Sequence, residues 1–503
     1  MSATLDSLSP ASHEARIKSI LEWLALAHGH NGTEGINQLH RQLLLLREAP
    51  LPNPQRLKLL DLLYAQAERM ANAELPRLLE VSLPIPRKLR QRVRILLDAL
   101  EILTQDYLNT LADMFDPNGP STPHAPHTSL RRAMYAIAWQ ARITHLIAAP
   151  SAIGLWQQLH SAYLTARRLG FADTPAPLGM PIIRKIYTDI LLAAIAQPAS
   201  FSPLELEFIS QYISQCTPPL ELSEAPPPDS DSVFWIDLDR DFPAHSLSRR
   251  SPSADARIIY FSCDSVSTNA LKHRTELLGG AHAKALGLPE FADTHGGPAV
   301  LQRLHQLWGH PAKRRFPRRR QSYRAHLCAG LDNLWQLIRS PGSAGELSEW
   351  MVTNESPDGY ALMHIAGRTD HLRVGDVIAL QAVGEHAEIP PLWHICITRW
   401  AISENPEHIE LGLQVLAPMA QAVEIAHPCA TGPSSKVPAL ILPPTPPLRP
   451  SPSLVLPAGL LKENTRRIIV MVETGNLEIR EVRATGLSEQ TSSIEIFSVS
   501  PDD

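Results

Sequence analysis

The sequence changes character at residues 313–324, KRRFPRRRQSYR, and residues 354–359, NESPDG, follow further along the chain. The first stretch contains the R-x-x-x-R pairs Arg314 with Arg318 and Arg320 with Arg324, and the second has the form N-x-S-x-x-G. Seven basic residues and no acid occupy the first stretch: Lys313, Arg314, Arg315, Arg318, Arg319, Arg320 and Arg324. Because the whole chain has a net charge of -5, anion binding is expected to be local to this basic segment.

Short strand-like segments surround the second stretch. They cover residues 349–353, 359–365, 376–381, 392–402 and 409–416, with turn residues between them. This pattern is typical of a small antiparallel barrel or sandwich. A proline tract at 438–457 then interrupts the chain, and three further strand-like segments close it at 467–472, 477–482 and 493–499. We expect this last part to form an appended half-barrel.

The two motifs, in this order and inside a strand-rich region, resemble the signature of the PilZ domain family. That family has an arginine pair followed some tens of residues later by [D/N]-x-S-x-x-G. The segments RVGDVIAL at 373–380, ITRW at 397–400 and LGLQVL at 411–416 also resemble PilZ strands. Roughly residues 313–418 are covered, so the resemblance concerns the C-terminal part of the chain.

The resemblance implies a receptor for the second messenger cyclic di-GMP. The candidate ligand-binding residues are Arg314, Arg318, Arg320, Arg324, Asn354, Ser356 and Gly359. Arginine matches phosphate and the guanine edge with its planar fork, and it can also stack on a base. Asparagine and serine supply side-chain oxygens, and glycine permits a close backbone approach. No further cofactor is expected.

Two arginine pairs compete for this role. The family usually has one pair just before its first barrel strand, and RRFPR at 314–318 resembles the family wording more closely. The pair Arg320 and Arg324, however, lies nearer the segment 326–329, where the barrel is expected to begin. The sequence leaves both pairs open.

The remainder of the chain predicts an α+β multidomain protein with an all-α N-terminal region. Apolar residues at helical spacing, such as Val93, Leu96 and Leu100, recur through residues 12–216, and proline clusters separate the helices. The predicted organisation is an all-α helical domain at 1–216, a proline-rich linker at 217–232, a small mixed α/β middle segment at 233–312, an antiparallel PilZ-like β-barrel at 313–420, and a proline-rich segment with a C-terminal β extension at 421–503.

Composition indicates the cellular location of the protein and excludes some classes of partner. The five cysteines are scattered and form no CxxC pair, so a disulfide framework is not expected and a cytoplasmic location is favoured. The N-terminus lacks the features of a secretory signal, and no apolar run is long enough for a membrane span. Nucleic-acid binding is disfavoured because only Phe316 and Tyr323 accompany the arginines of the basic segment.

Enzymatic and metal-binding interpretations are weaker. Asp237 and Asp239 after an apolar strand resemble a phosphotransferase nucleophile loop, but the rest of such a site is missing, and no enzyme is predicted. No metal site is expected either, because the histidines lack a recognisable ligand spacing: His28, His30, His124, His127, His273, His282 and His295. Trp393 and Trp400 are assigned to the core.

The PilZ resemblance, taken with these observations, implies a cyclic di-GMP sensor. Binding would order the arginine segment against the barrel and alter how the other domains pack on it, and a protein partner would sense that change through the helical N-terminal region. The alternative is a PilZ-like adaptor that does not bind the nucleotide.

Overall fold

The structure is a computed structural model of the 503-residue chain. It describes residues 10–26, 32–114, 126–175, 180–228, 231–311, 315–340, 347–370, 372–383, 392–405, 408–426, 436–446, 449–461, 467–473 and 477–501.

The N-terminal region is helical, as predicted. Its helices are α1 (Pro10–Leu26), α2 (Thr33–Glu48), α3 (Asn53–Leu79), α4 (Arg87–Met114), α5 (Pro126–Leu146), α6 (Leu155–Arg168), α7 (Ile183–Ile195) and α8 (Pro203–Cys216). Helix α5 contributes to two cores through different faces, because Ala136 and Ile143 pack with α1–α4, whereas Met134 and Ile137 pack with α6–α8.

The middle segment packs on these helices. Strands β1 (Val233–Asp237), β2 (His245–Ser246) and β3 (Ile258–Ser262) form a sheet in the order β2-β1-β3, followed by helices α9 (Asp264–Leu278), α10 (Ala283–Leu286) and α11 (Gly296–Gly309). Phe261 and Trp308 belong to the same apolar core as Phe208 of α8. Leu220, within the predicted linker, is also buried in this core, so that part of the linker packs against its neighbours.

The PilZ-like segment forms a closed barrel. Its elements are β4 (Arg319–Ala329), α12 (Leu331–Arg339), β5 (Ser348–Ser356), β6 (Gly359–Ala366), β7 (Val377–Ala382), β8 (His394–Asn405) and β9 (His408–Ala417), and the strand order is β4-β5-β6-β9-β8-β7. Leu327, Trp350, Val352 and Leu411 fill its interior. The predicted strands of this region are all present.

The C-terminal extension is a second closed barrel, so the expectation of a half-barrel was wrong. It contains β10 (Gln421–Ala426), β11 (Lys436–Leu442), β12 (Ser453–Pro457), β13 (Arg467–Glu473), β14 (Leu477–Gln490) and β15 (Ile494–Pro501) in the order β10-β11-β12-β15-β14-β13. This is the strand order of the first barrel. The proline tract does not interrupt it, because most of its prolines lie in the connection between β11 and β12.

The two barrels share a core through their outer faces. Val377 and Ile395 of the first barrel pack with Leu440 and Ile496 of the second, and helix α12 adds Leu334 to the same cluster. Helix α12 is fixed there by the indole of Trp335, which donates a 2.7 Å hydrogen bond to the carbonyl oxygen of Val423. Among the described residues, none of the helices is long and apolar enough to cross a membrane.

Candidate ligand-binding site

One row of residues runs across five strands of the first barrel. Arg320 on β4 lies opposite Asn354 on β5, and Asn354 lies opposite Ala361 on β6. The row continues through Gly412 on β9 to Trp400 on β8. Residues paired directly across antiparallel strands project from the same face of a sheet, so these side chains share one surface.

That surface is the outside of the barrel. Leu362 and Leu413, the neighbours in sequence of Ala361 and Gly412, belong to the interior core. Because successive side chains of a strand point to opposite faces, Ala361 and Gly412 point outward, together with the residues paired to them. Two predicted site residues, Arg320 and Asn354, are therefore next to each other on a solvent-facing surface.

A second row lies beside the first, nearer the turn between β5 and β6. Ser356 pairs with Gly359, and Gly359 pairs with Gln414. A side chain at Gly359 would collide with the carbonyl oxygen of Leu413, so this position requires glycine. The hydroxyl of Ser356 has one proton to donate, and two acceptors lie within reach of it: the carboxylate of Asp358 at 2.6 Å and the carbonyl oxygen of Gly359 at 3.2 Å.

The structure places the four candidate arginines differently. Arg318 is exposed and directly precedes β4, whereas Arg320 is exposed within β4 beside Asn354. Arg324 lies further along β4, opposite Met351, and forms a 2.9 Å ion pair with Glu349. Arg314 lies outside the described residues. Of the three candidate arginines within the described part of the chain, Arg320 is the one whose cross-strand partner, Asn354, belongs to the N-x-S-x-x-G motif.

The first acidic residue of the motif, Glu355, holds the basic strand in place. Its carboxylate accepts 2.9 Å hydrogen bonds from the amide of Gln321 and the hydroxyl of Tyr323. Burial and the hydrogen bond to Glu355 raise the pKa of Tyr323, so the hydroxyl remains a donor at neutral pH. Glu355 pairs with Tyr360, which packs against the interior core, so its carboxylate is on the side of the sheet opposite Asn354 and Ser356.

Trp400 was expected in the core, and this expectation was wrong. Its ring is partly buried on the outer surface of the barrel and belongs to none of the described apolar cores. Its indole lies directly against Gly412, where any side chain would collide with it. Trp393, in contrast, packs against the core between the two barrels, in agreement with the prediction. Trp400 therefore presents an aromatic surface at the end of the row that starts at Arg320.

Arg399 adds a cation to the end of the second row, which the sequence did not reveal. Its Nε donates to the amide oxygen of Gln414 at 2.6 Å. Its Nη1 and Nη2 bind both carboxylate oxygens of Glu489 on β14 of the second barrel, at 3.0 and 2.6 Å. The only signal in the sequence was the adjacency of Arg399 to Trp400 in ITRW, and Glu489 had none.

Two of the acidic residues that follow β1, Asp239 of the alternative enzyme site and the nearby Asp241, have structural partners. Asp239 forms a bidentate ion pair with Arg257. Asp241 accepts hydrogen bonds from the backbone N–H groups of Gly154, Trp156 and Gln157 and so caps the start of α6. Among the residues that the structure describes, no group of three or more potential metal ligands occurs. His28, His30 and His124 lie outside that part of the chain.

Two protein-family models match this chain. The model of the N-terminal domain of the cyclic-di-GMP receptor FimW matches residues 18–228, and the model of its middle PilZ domain matches residues 342–422. Both models come from one receptor and match in its chain order. The matches identify a cyclic-di-GMP receptor. A search of curated proteins found no match.

The matches extend the sequence-based resemblance, which had been confined to the C-terminal part of the chain. The helical region of this receptor also belongs to the matched architecture, from residue 18 to residue 228. The PilZ match begins at residue 342, so it contains Asn354, Ser356 and Gly359, whereas the arginine segment and β4 precede it. The second barrel begins where this match ends.

Proposed function

We propose that the receptor binds cyclic di-GMP on the outer face of the first barrel, over the row from Arg320 to Trp400. The observation that carries this proposal is the direct pairing of Arg320 with Asn354, which joins the basic segment to the N-x-S-x-x-G motif. A cyclic dinucleotide has two phosphates and two guanines, so it requires cations, polar groups and flat surfaces close together. This face of the barrel offers all three.

Each group has a distinct role in this proposal. Arg318 and Arg320 bind the phosphates, and Asn354 and Ser356 bind the polar edges of a guanine. The ring of Trp400, seated on Gly412, supports a base by stacking, and the small side chain of Ala361 leaves space between Trp400 and Asn354. The hydroxyl of Ser356 exchanges its present bond to Asp358 for one to the ligand.

The position at which β4 begins favours Arg314 and Arg318 as the arginine pair of the site. Because β4 begins at Arg319, the pair Arg314 and Arg318 stands directly before the first barrel strand, which is the position that the PilZ resemblance implies. Arg320 joins it through its pairing with Asn354. Arg324, paired with Glu349, then contributes least to ligand binding.

We also propose that a protein partner detects the ligand through the helical region. The helical region contacts the first barrel at the end of β8, where Arg90 of α4 donates to the carbonyl oxygens of Ser403 and Glu404 at 3.2 and 2.9 Å. The backbone N–H of Ser403 donates to the carbonyl oxygen of Ala148, which follows α5. These contacts give a route from the barrel to the helices. The cysteines of the described residues have no disulfide partner there, which favours a cytoplasmic location.

Calorimetric titration with cyclic di-GMP tests the site. Replacement of Arg318, Arg320 or Ser356 by alanine is expected to weaken binding by about tenfold or more, because each change removes a hydrogen bond to a charged or buried group. Arg324→Ala is the matched control, with the same change on the same strand and an effect of less than about threefold. Equal losses in Arg320→Ala and Arg324→Ala would contradict the proposed placement, and wild-type protein without binding would leave the adaptor alternative.

A further inference from the structure

Arg399 is held between the proposed site and the second barrel. Gln414, which accepts a hydrogen bond from Arg399, is the cross-strand partner of Gly359 in the motif. The other side of the guanidinium binds both oxygens of Glu489. The side chains of Arg399 and Glu489 are 31% and 24% exposed, so an anion on the outer face of the barrel can approach this pair from solvent.

We propose that Arg399 is a further phosphate-binding residue of the cyclic di-GMP site, and that the ligand competes with Glu489 for it. This inference rests on the proposed site on the first barrel. A guanidinium presents the same fork to a carboxylate and to a phosphate, so the two anions are alternative partners in similar geometry. Binding would therefore weaken one contact between the two barrels while it forms another with the ligand.

A third charged residue makes this exchange feasible. Arg303 of α11 is partly buried and lies close enough to interact electrostatically with Arg399 and Glu489, as well as with Glu205 of α8. When Arg399 turns to the ligand, Glu489 keeps this second cation nearby, so its partly buried carboxylate is not left as an uncompensated charge. The carboxylate can thus release Arg399 without losing all positive charge around it.

Arg303 also connects the exchange to the helical region. Its guanidinium donates to the carbonyl oxygen of Ser200 and lies 3.7 Å from the centre of the Phe201 ring, just before α8. Any shift of Arg303 toward Glu489 changes these contacts. The junction therefore joins four parts of the chain: the first barrel, the second barrel, the middle segment and the helical region. A ligand that binds the two arrangements unequally shifts the equilibrium between them.

Calorimetric titration of the full chain with cyclic di-GMP tests this competition through four variants. Glu489→Gln removes the competing carboxylate and is expected to tighten binding by about three- to tenfold. Arg399→Gln is expected to weaken binding by about tenfold. In the double variant the effect of Glu489→Gln is expected to disappear, because it acts through Arg399. Glu424→Gln, with the same loss of charge on β10 of the second barrel, is the control and is expected to bind like wild type.

Two outcomes would overturn the inference. The first is unchanged or weaker ligand binding by the Glu489→Gln variant. The second is that Glu489→Gln tightens binding equally in the wild-type background and in the Arg399→Gln background, which would indicate a general charge effect. Arg399→Lys keeps a charge without the fork, so it provides a second, milder variant and is expected to bind with intermediate affinity. If Ser356→Ala binds like wild type, the proposed site itself is wrong. If Ser356→Ala loses binding and Arg399→Gln does not, only this inference fails.

Discussion

The hydroxyl of Tyr323 donates a 2.9 Å hydrogen bond to the carboxylate of Glu355, and this bond ties the basic strand to the motif strand. It lies next to a bulge in β4, where the pairing register shifts between Arg320 and Tyr323. A shift of one residue reverses the face to which each side chain of a strand points. The bond therefore stabilises the register that places Arg320 opposite Asn354.

Loss of this anchor is expected to weaken ligand binding. Tyr323→Phe removes one hydrogen bond to a charged group and no charge, so affinity for cyclic di-GMP should fall by up to about tenfold. Glu355→Gln should weaken binding as well, although removal of an acid beside a cationic site would, by charge alone, tighten the binding of an anion. Calorimetry on both variants decides between the two effects, and tighter binding in Glu355→Gln would exclude the anchoring role.

Glu349→Gln provides the matched control for that experiment. It removes the same charge from the same strand, at the ion pair with Arg324 rather than at the bulge. We expect unchanged or slightly tighter binding in this variant. The unfolding temperature without ligand should be measured for all three variants, because an anchoring effect requires weaker binding by a chain that is still folded.

The position of the Trp400 ring depends on the glycine that it contacts. Gly412→Val would place methyl groups where the indole now lies, so the ring must move away from the barrel surface. Stacking of a base on an aromatic side chain contributes about 1–3 kcal/mol, so Gly412→Val and Trp400→Ala should each weaken binding by about tenfold. Trp393→Ala is the control for loss of a tryptophan away from the row. Wild-type affinity in Trp400→Ala would remove this residue from the site.

The sequence predicted the strands and the motif, but not which residues meet. Alternation of apolar residues and turn signals are local, so the helices and the strands of the first barrel were expected from the sequence. The row from Arg320 to Trp400 depends on pairing between distant strands. Its register is set by bulges, including one between Thr398 and Trp400 that places Arg399 and Trp400 on the same outer surface. Strict alternation would have placed these two residues on opposite faces.

The second barrel was missed for a different reason. Proline cannot donate a backbone hydrogen bond, so a proline-rich stretch argues against strands. Here the prolines concentrate in the connection between β11 and β12, and those within the strands lie at Pro438 and Pro457. The high proline content of the whole stretch therefore argued against strands, although β11 and β12 lie at its two ends. The proposed exchange of Arg399 between Glu489 and the ligand could not be predicted from the sequence either, because Glu489 lies in a strand that carries no recognisable motif.

His145 is expected to make stability depend on pH. It lines a cavity of about 390 Å³ between α5, α7 and α8, and burial lowers its pKa from 6.5 to about 4. Between these two values the unfolded chain binds a proton that the folded chain does not, so stability falls as pH decreases from 6.5 toward 4. His145→Gln removes this titration. The difference in unfolding temperature between wild type and variant should therefore change across this range, and a constant difference would contradict the assignment.

Arg90 offers a way to separate ligand binding from its transmission to the helices. Besides its bonds to the carbonyl oxygens of Ser403 and Glu404, it donates to the hydroxyl of Ser403 at 2.7 Å. Arg90→Ala leaves these acceptors without their donor while the residues of the ligand row are unchanged. We expect the affinity for cyclic di-GMP to change by no more than about fivefold, because Arg90 makes none of the proposed ligand contacts and affects the affinity only through the coupling between the two sites.

Hydrogen exchange measured with and without ligand tests the transmission. In wild type, ligand binding should change exchange both in β5 and β6 and in the connection between α3 and α4, where Leu83 packs against the core of the first barrel. In Arg90→Ala the change in β5 and β6 should remain, and the change around Leu83 should decrease. Arg94→Ala, an exposed arginine on the same helix, is the matched control. A response of the helices that survives in Arg90→Ala would show that the signal reaches them by another contact, such as the one between Arg303 and Ser200.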